Sequence, residues 1–328
     1  MGTETTVGKL AAKYCSRFSK TSNTAVADKL LHDHPLHFKD KEAARTAVRR
    51  ARGKTGEKDR NSKADKSNFG FVLPKPVSVD HEPLKLRKAD NNIGVISDLH
   101  IPNHREEPIL VALNYFKKHK VNTIIINGDL LDNTPFSKWD HKPPGADDVR
   151  NWFDDAESFL AMLRKRFPKA RILWLEGNHD AWYTRWLMKK APIIFNDEYY
   201  HLQQRLHLKD YNIEYIPQER FVLAGKLAIC HGHHIIKGVF APVNAARGAY
   251  LRSKRSLLIG HVHVESSHTE TDLLKDIVTT WSTGCLCTLT PDYQPMAGKA
   301  CHGFAHVQTD AKGAFHVKNY RIHNGVIL

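Results

Sequence analysis

The 328-residue chain reads as an α/β domain preceded by a small all-α module. Two observations carry that reading: five short apolar runs, each closed by a polar cluster, and a change in charge near residue 90. The runs lie at 93–96, 123–126, 172–175, 227–230 and 257–259. Each is short, uncharged and rich in aliphatic residues, as a strand buried on both faces should be.

Up to residue 92, 20 Lys and Arg stand against 11 Asp and Glu, so most of the net charge of +14 sits in the first quarter. Helical apolar spacing occupies about 6–19 (Leu10, Tyr14, Phe18) and 23–33 (Val26, Leu30, Leu31), with Ser22 or Asn23 placed to cap the second helix. A third helix, about 41–52, sets Ala44, Val48 and Ala51 beneath Arg45, Arg49, Arg50 and Arg52 and stops at Gly53. Three short helices with an arginine-rich third resemble a helix-turn-helix DNA-binding module. Its four arginines would then meet phosphates; otherwise they form a solvated charged face. This basic module takes residues 1–53, a linker 54–92 and the α/β domain 93–328. Within the linker, 54–68 is almost free of apolar residues, and Pro74, Pro76 and Pro83 mark an extended approach to the first strand.

In the α/β domain helical spacing recurs at about 108–119, 149–167, 182–190 and 243–254, with a polar loop at 133–148. Trp182, Tyr183 and Trp186 form an aromatic group suited to core packing or to base stacking at a cleft rim. The 243–254 helix carries Arg247, Arg252 and Lys254 towards the fifth run, with Arg255 just beyond. Segments 304–308 and 315–320 make a terminal β-hairpin.

The polar clusters hold the chemistry. They are Asp98-Leu-His100, Gly128-Asp129-Leu-Leu-Asp132, Gly177-Asn178-His179-Asp180, His231-Gly-His233 and Gly260-His261-Val-His263. At strand ends they would gather along one rim of one sheet, where open α/β sheets place active sites. Asp98, His100, Asp129, Asn178, His231, His261 and His263 together fill two metal sites and leave positions for water and substrate. Mixed imidazole and oxygen donors suit borderline divalent ions, manganese first, with iron, zinc, cobalt and nickel as alternatives. Two such ions clamp both oxygens of an in-line phosphoryl displacement and make a bound water nucleophilic near neutral pH. That pair needs a bridging carboxylate, for which Asp129 is the candidate. His231, the first His after its strand, is the expected ligand. His233 is placed to line the cleft, His104 either to reach a substrate phosphate or to stand as a solvated loop residue, and Asp180 to brace its turn.

These motifs resemble the calcineurin-like metallophosphoesterases, whose pattern DxH, GDxxD, GNH(D/E), H and GHxH stands here as DLH, GDLLD, GNHD, CHGHH and GHVH. The resemblance implies a sandwich of two β-sheets flanked by helices. It implies that Asp98, His100, Asp129 and His263 hold one metal, and that Asp129, Asn178, His231 and His261 hold the other. It makes His179 the general acid or oxyanion partner, oriented by Asp132. Serine/threonine phosphatases of this superfamily carry an Arg after GDxxD, where this chain has Asn133. Chains of this shape resemble bacteriophage and bacterial proteins.

No apolar run reaches the ~18 residues of a membrane span, and no signal-peptide core is seen. Five Cys, with Cys285 and Cys287 too close for an ordinary bridge, point to reduced thiols and a cytoplasmic setting, bacterial or that of a phage-infected host. The expected activity is hydrolysis of phosphodiester bonds in nucleic acid. The alternative is a phosphomonoesterase whose basic module docks a protein.

Overall fold

The computed structural model describes residues 6–53, 78, 81–138, 145, 148–236, 244–291 and 298–328. The chain divides into two compact units, Met1–Val79 and Asp80–Leu328. Most of the expected linker, including Pro74 and Pro76, and much of the 133–148 loop lie outside the described residues.

The first unit contains helices α1 (Thr6–Arg17), α2 (Asn23–Asp33) and α3 (Lys41–Ala51). They pack around Ala11, Val26, Ala27, Leu30, Phe38, Ala44 and Val48. The Ser22 hydroxyl accepts from Ala25 N, as expected for a cap, and Asp40 caps α3 by accepting from Ala43 N at 2.7 Å. One expectation fails here. The Arg52 guanidinium does not belong to a free basic face: it donates to the carbonyls of Thr21 and Phe18 and to Asn23 Oδ1 at 2.6–2.7 Å, tying α3 to the α1–α2 connection. Arg49 and Arg50 are exposed, while Arg45 is half-buried beside Glu42.

The second unit is a four-layer α/β/β/α sandwich. One sheet has strands β2 (Asn92–Ile96), β3 (Thr123–Asn127), β4 (Arg171–Leu175) and β5 (Ile213–Ile216) in parallel, extended antiparallel by β11 (His302–Thr309), β12 (Phe315–His323) and β13 (Val326–Ile327). The other runs β1-β6-β7-β8-β10-β9, comprising β1 (Leu84–Lys85), β6 (Val222–Ala224), β7 (Leu227–Cys230), β8 (Leu257–Ile259), β10 (Ile277–Ser282) and β9 (Ser266–Thr271). Leu84–Lys85, assigned above to the linker, therefore pairs into this sheet, parallel to Val222–Leu223.

Alternation along each strand builds the two cores. Ile93, Val95, Ile125 and Leu173 meet Val222, Leu227, Ile229 and Leu258 between the sheets. Ile96, Ile124, Ile126, Ile172 and Trp174 face α4 (Glu106–Lys118) and α5 (Asp148–Arg166) through Phe116, Leu160 and Leu163. Helix α6 (Asn178–Lys190) follows β4 directly, with short helical turns α7 (Pro192–Phe195) and α8 (Leu202–Arg205) after it, and α9 (Ala245–Ser253) covers Leu257 and Ile259 on the far sheet. The five ligand-bearing runs are thus divided, three in one sheet and two in the other, rather than aligned in a single sheet. Among the described residues no helix is long and apolar enough to cross a membrane.

Candidate metal centre

Each ligand sits where a strand stops, and the backbone there is unusual. Asp98, His100, Asp129, His261 and His263 have φ of 57°, 50°, 51°, 68° and 57°. Left-handed backbone bends the chain sharply out of its strand, so the side chain turns back over the rim. Gly128 (φ 85°) supports the same turn, and a Cβ there would strike the His231 ring. At Gly177 a Cβ would strike the Asp129 carboxylate, so the GNHD turn can close on the GDLLD turn only with glycine.

The seven predicted ligands converge. His231 Nε2 lies 3.0 Å from Asp129 Oδ2 and 3.2 Å from Asn178 Oδ1. His263 Nε2 lies 3.3 Å from Asp98 Oδ1 and 3.2 Å from His100 Nε2, which is itself 3.7 Å from Asp129 Oδ2. His261 groups with Asp129 and His231.

The partners behind these side chains decide what the front can accept. His231 Nδ1 donates to the Asn127 carbonyl at 2.8 Å, and His100 Nδ1 faces Asp132 Oδ1 at 3.2 Å. With Nδ1 as the donor, each ring turns a lone pair at Nε2 into the centre. At His231 that lone pair meets a carboxylate oxygen and an amide oxygen, so three acceptors point at one another. Only a cation, or a proton, relieves that repulsion, and the donor set is that of borderline divalent metals. The protein groups alone show the same demand. Burial disfavours a charged His231, yet Asp129 and Asp98 outweigh it and raise its pKa to about 9. Burial also works against ionised Asp129, but His231 and His179 hold it far below the usual carboxylate range. His261 goes the other way: burial and His231 lower it to about 4.

Two details refine the expected roles. His179 is held by Asp132, but through the backbone: its Nδ1 lies 2.6 Å from the Asp132 carbonyl and 3.6 Å from the carboxylate. The Asp132 carboxylate serves His100 and accepts from Thr134 Oγ1 at 2.6 Å. Both Asn178 and His179 occupy the first turn of α6, so the GNHD cluster begins that helix rather than preceding it. His179 N donates to Asp129 Oδ1 at 2.9 Å, tying the carboxylate to the helix N-terminus. Trp182 covers the His179 ring, centroids 3.8 Å apart, whereas Tyr183 is core and Trp186 is partly exposed. Burial lowers the His179 pKa to about 4.

Asp180 braces its turn, accepting from Leu131 N, Gly177 N and Trp174 Nε1. His233 lines a cavity with Glu176, Gln218, Arg220 and His231; its Nε2 is 3.1 Å from Gln218 Oε1 and its buried Nδ1 has no hydrogen-bond partner among the described residues. His104 is half-buried in a bridge to Cys287, with Nδ1 likewise unpaired among the described residues. Asn133, at φ 50°, is buried and donates to the His179 carbonyl at 3.1 Å, so the position of the phosphatase arginine holds a structural amide. Residues that sequence reasoning missed are Asn127 and Ser97. Ser97 donates to Asp98 Oδ2 at 2.5 Å, and each is a polar residue closing an apolar run, which is the signal that would have flagged them.

A two-sheet α/β sandwich with seven candidate metal donors at its rim is the architecture of a metallophosphoesterase. Residues 92–283 match the calcineurin-like phosphoesterase family model, and the chain belongs to that family. It is a metal-dependent phosphoester hydrolase. The Gene 54 protein of Mycobacterium phage L5 is 27% identical over 181 residues, spanning 52% of this chain and 68% of the relative. Among solved structures, Vacuolar Protein Sorting 29 of Cryptosporidium parvum is 14% identical with a TM-score of 0.40, over 73% of this chain and 94% of that one. The phosphoesterase Yfce of E. coli is 14% identical (TM-score 0.34; 68% and 96%), and a dimetal phosphatase of Danio rerio is 12% identical (TM-score 0.35; 71% and 96%).

Proposed function

We propose that the enzyme hydrolyses phosphodiester bonds of nucleic acid. The observation that carries the substrate class is the exposed pair Arg49 and Arg50 on a capped helix, in a first quarter that holds most of the chain's net positive charge. Such residues give sequence-independent affinity for a phosphate backbone. The burial of Asn133 supports the reading, because a phosphomonoester dianion loses the arginine that would grip it.

Asp98, His100, Asp129 and His263 would hold one ion, and Asp129, Asn178, His231 and His261 the other, from the set Mn, Fe, Zn, Co or Ni. When bound, such ions supply Lewis acidity and lower the pKa of a coordinated water to near neutrality. Everything else falls to the chain. Asp132 and Asn127 keep two imidazoles turned inward. The Asp132 carbonyl fixes His179 through Nδ1, leaving Nε2 to meet a substrate oxygen. An arriving phosphate raises the proton affinity of that imidazole, which then passes its proton to the leaving oxygen.

The test is a filter-binding titration on DNA at several salt concentrations, comparing wild type with Arg49→Gln/Arg50→Gln in the full chain. The slope of log affinity against log salt should fall by roughly 0.9 for each phosphate that is no longer neutralised. Turnover of bis-p-nitrophenyl phosphate should not change. An unaltered slope refutes the nucleic-acid role of the module and leaves protein docking, with phosphomonoester substrates, as the better reading.

A further inference from the structure

Helix α6 carries the aromatic group that the sequence leaves open between core packing and base stacking, and the structure splits it between two faces. Tyr183 and Leu187, one turn apart, are buried and supply the helix's share of the core. Trp182 and Trp186, also one turn apart and so on a neighbouring face, do not follow them inward. Trp186 is 38% exposed and meets Phe136 edge-on, with 5.5 Å between ring centroids. Trp182 is half-buried against His179, whose other neighbour, His100, stands edge-on to it at 4.4 Å. Aromatic rings therefore run outward from the metal centre along α6. Charge follows them. Arg185, Lys189 and Lys190 are exposed, with Arg185 steadied by Gln218 Oε1 at 2.8 Å. The one acidic residue of α6, Asp180, is fully buried in the GNHD turn. The outward side of the helix is thus aromatic and basic for about 16 Å between His179 and Lys190, at 1.5 Å per residue.

We propose that this face of α6 is the track of a single-stranded nucleic acid, whose bases stack on Trp186 beside Trp182 and whose phosphates meet Arg185, Lys189 and Lys190. The inference rests on the nucleic-acid reading above and adds the strand state. A duplex keeps its base faces stacked on one another and offers a protein surface phosphates and groove edges, from which an exposed indole gains little. An unpaired base offers a π-face of its own, and stacking on it tolerates any sequence. Length agrees: about 16 Å spans roughly five stacked nucleotides at 3.4 Å each, and fewer if the strand is extended. Position agrees as well. Trp182 lies against the His179 ring, so a nucleotide held at the inner end of the track stands next to the group that meets the leaving oxygen.

Fluorescence anisotropy of a labelled phosphorothioate oligonucleotide, single-stranded or annealed to its complement, tests this on the full-length protein. Trp186→Ala should weaken single-strand binding roughly 5–150-fold, as the loss of one base stack does, and leave duplex binding as it was. Trp186→Phe, which keeps a ring, should recover most of the loss; a Phe variant as weak as the Ala one removes stacking and overturns the proposal. Lys189→Gln/Lys190→Gln should flatten the salt dependence of single-strand affinity. Single-strand affinity and salt slope unchanged in both the Ala and the Gln variants overturn the track, leave the nucleic-acid reading intact and cede the face to a protein partner. Equal losses on strand and duplex overturn the single-strand assignment. A wild type that binds neither form overturns the nucleic-acid reading and the proposal with it. Should circular dichroism show Trp186→Ala unfolded, Lys189→Gln/Lys190→Gln decides: a slope that falls on the strand and not on the duplex supports the track, and any other result removes it.

Discussion

Asp129 divides its carboxylate between two tasks. Oδ2 faces the imidazoles of His231 and His100, while Oδ1 is anchored by His179 N. Asp129→Asn keeps the shape and removes the charge that the two proposed metal positions would share. Metal content and hydrolysis should fall together, by more than the roughly 10–100-fold typical of losing an outer partner of a ligand. Wild-type turnover with two bound ions in this variant would sink the bridging role. At His179 the expectation is a split. His179→Ala should retain both ions and lose roughly 10²–10⁴-fold in rate, with the larger loss on a deoxyribose leaving group than on p-nitrophenolate. Equal losses on both substrates would reduce His179 to positioning.

Among the elements, α3 combines two kinds of arginine. Arg52 donates to two main-chain carbonyls and one amide, so Arg52→Ala should destabilise the first unit by about 1–3 kcal/mol. Arg49→Ala and Arg50→Ala should change it by less than about 0.5 kcal/mol. Hydrogen exchange across α1–α3 separates the cases, and an Arg52→Ala profile matching wild type contradicts the bracing role. The same contrast explains what was legible in the sequence. Strands and the convergence of the candidate ligands could be read because continuous aliphatic runs end in Asp, Asn and His, and the three N-terminal helices because their apolar spacing and caps are local. Arg52 could not be read, because its partners Phe18 and Thr21 lie some thirty residues away and are backbone carbonyls that carry no side-chain signature. The division of the ligand strands between two sheets was hidden for a related reason: 93–96 and 227–230 look alike in composition, and only pairing separates them. Asp132 acting through its carbonyl was invisible on the same ground.

For the whole molecule, acid stability should depend on a cluster remote from the metals. Arg171 donates to Glu214 at 2.6–2.7 Å and to Asp90 at 2.6 Å, and Arg87 holds Asp90 from the other side at 2.9 Å. The Arg171 hydrogen bonds lower the Glu214 pKa. Burial would raise that of Asp90, but the two arginines outweigh it. A depressed folded pKa contributes stability above the unfolded value and loses it as pH falls through the folded one. Resistance to thermal unfolding should therefore weaken from about pH 4 downward. Arg171→Gln should lower the melting temperature at neutral pH and flatten that slope; parallel wild-type and variant curves would discount the cluster. Metal loading is the second global lever. An ion at about 100 times its dissociation constant adds about 2.7 kcal/mol, or several degrees in a domain of this size, and a chelator should reverse it. Finally, the left-handed backbone at five of the seven candidate ligands bears on how such a centre can evolve. Asp, Asn and His accept that conformation with little penalty; Glu and Cys, chemically good ligands, are poorly suited to it. Drift in metal preference at Asp98, His100, Asp129, His261 and His263 is thus blocked by conformation before coordination chemistry is consulted. The permissive positions are those with ordinary backbone, Asn178 on its helix and His231 at its strand end, and a lineage that changed its metal would be expected to have changed there first.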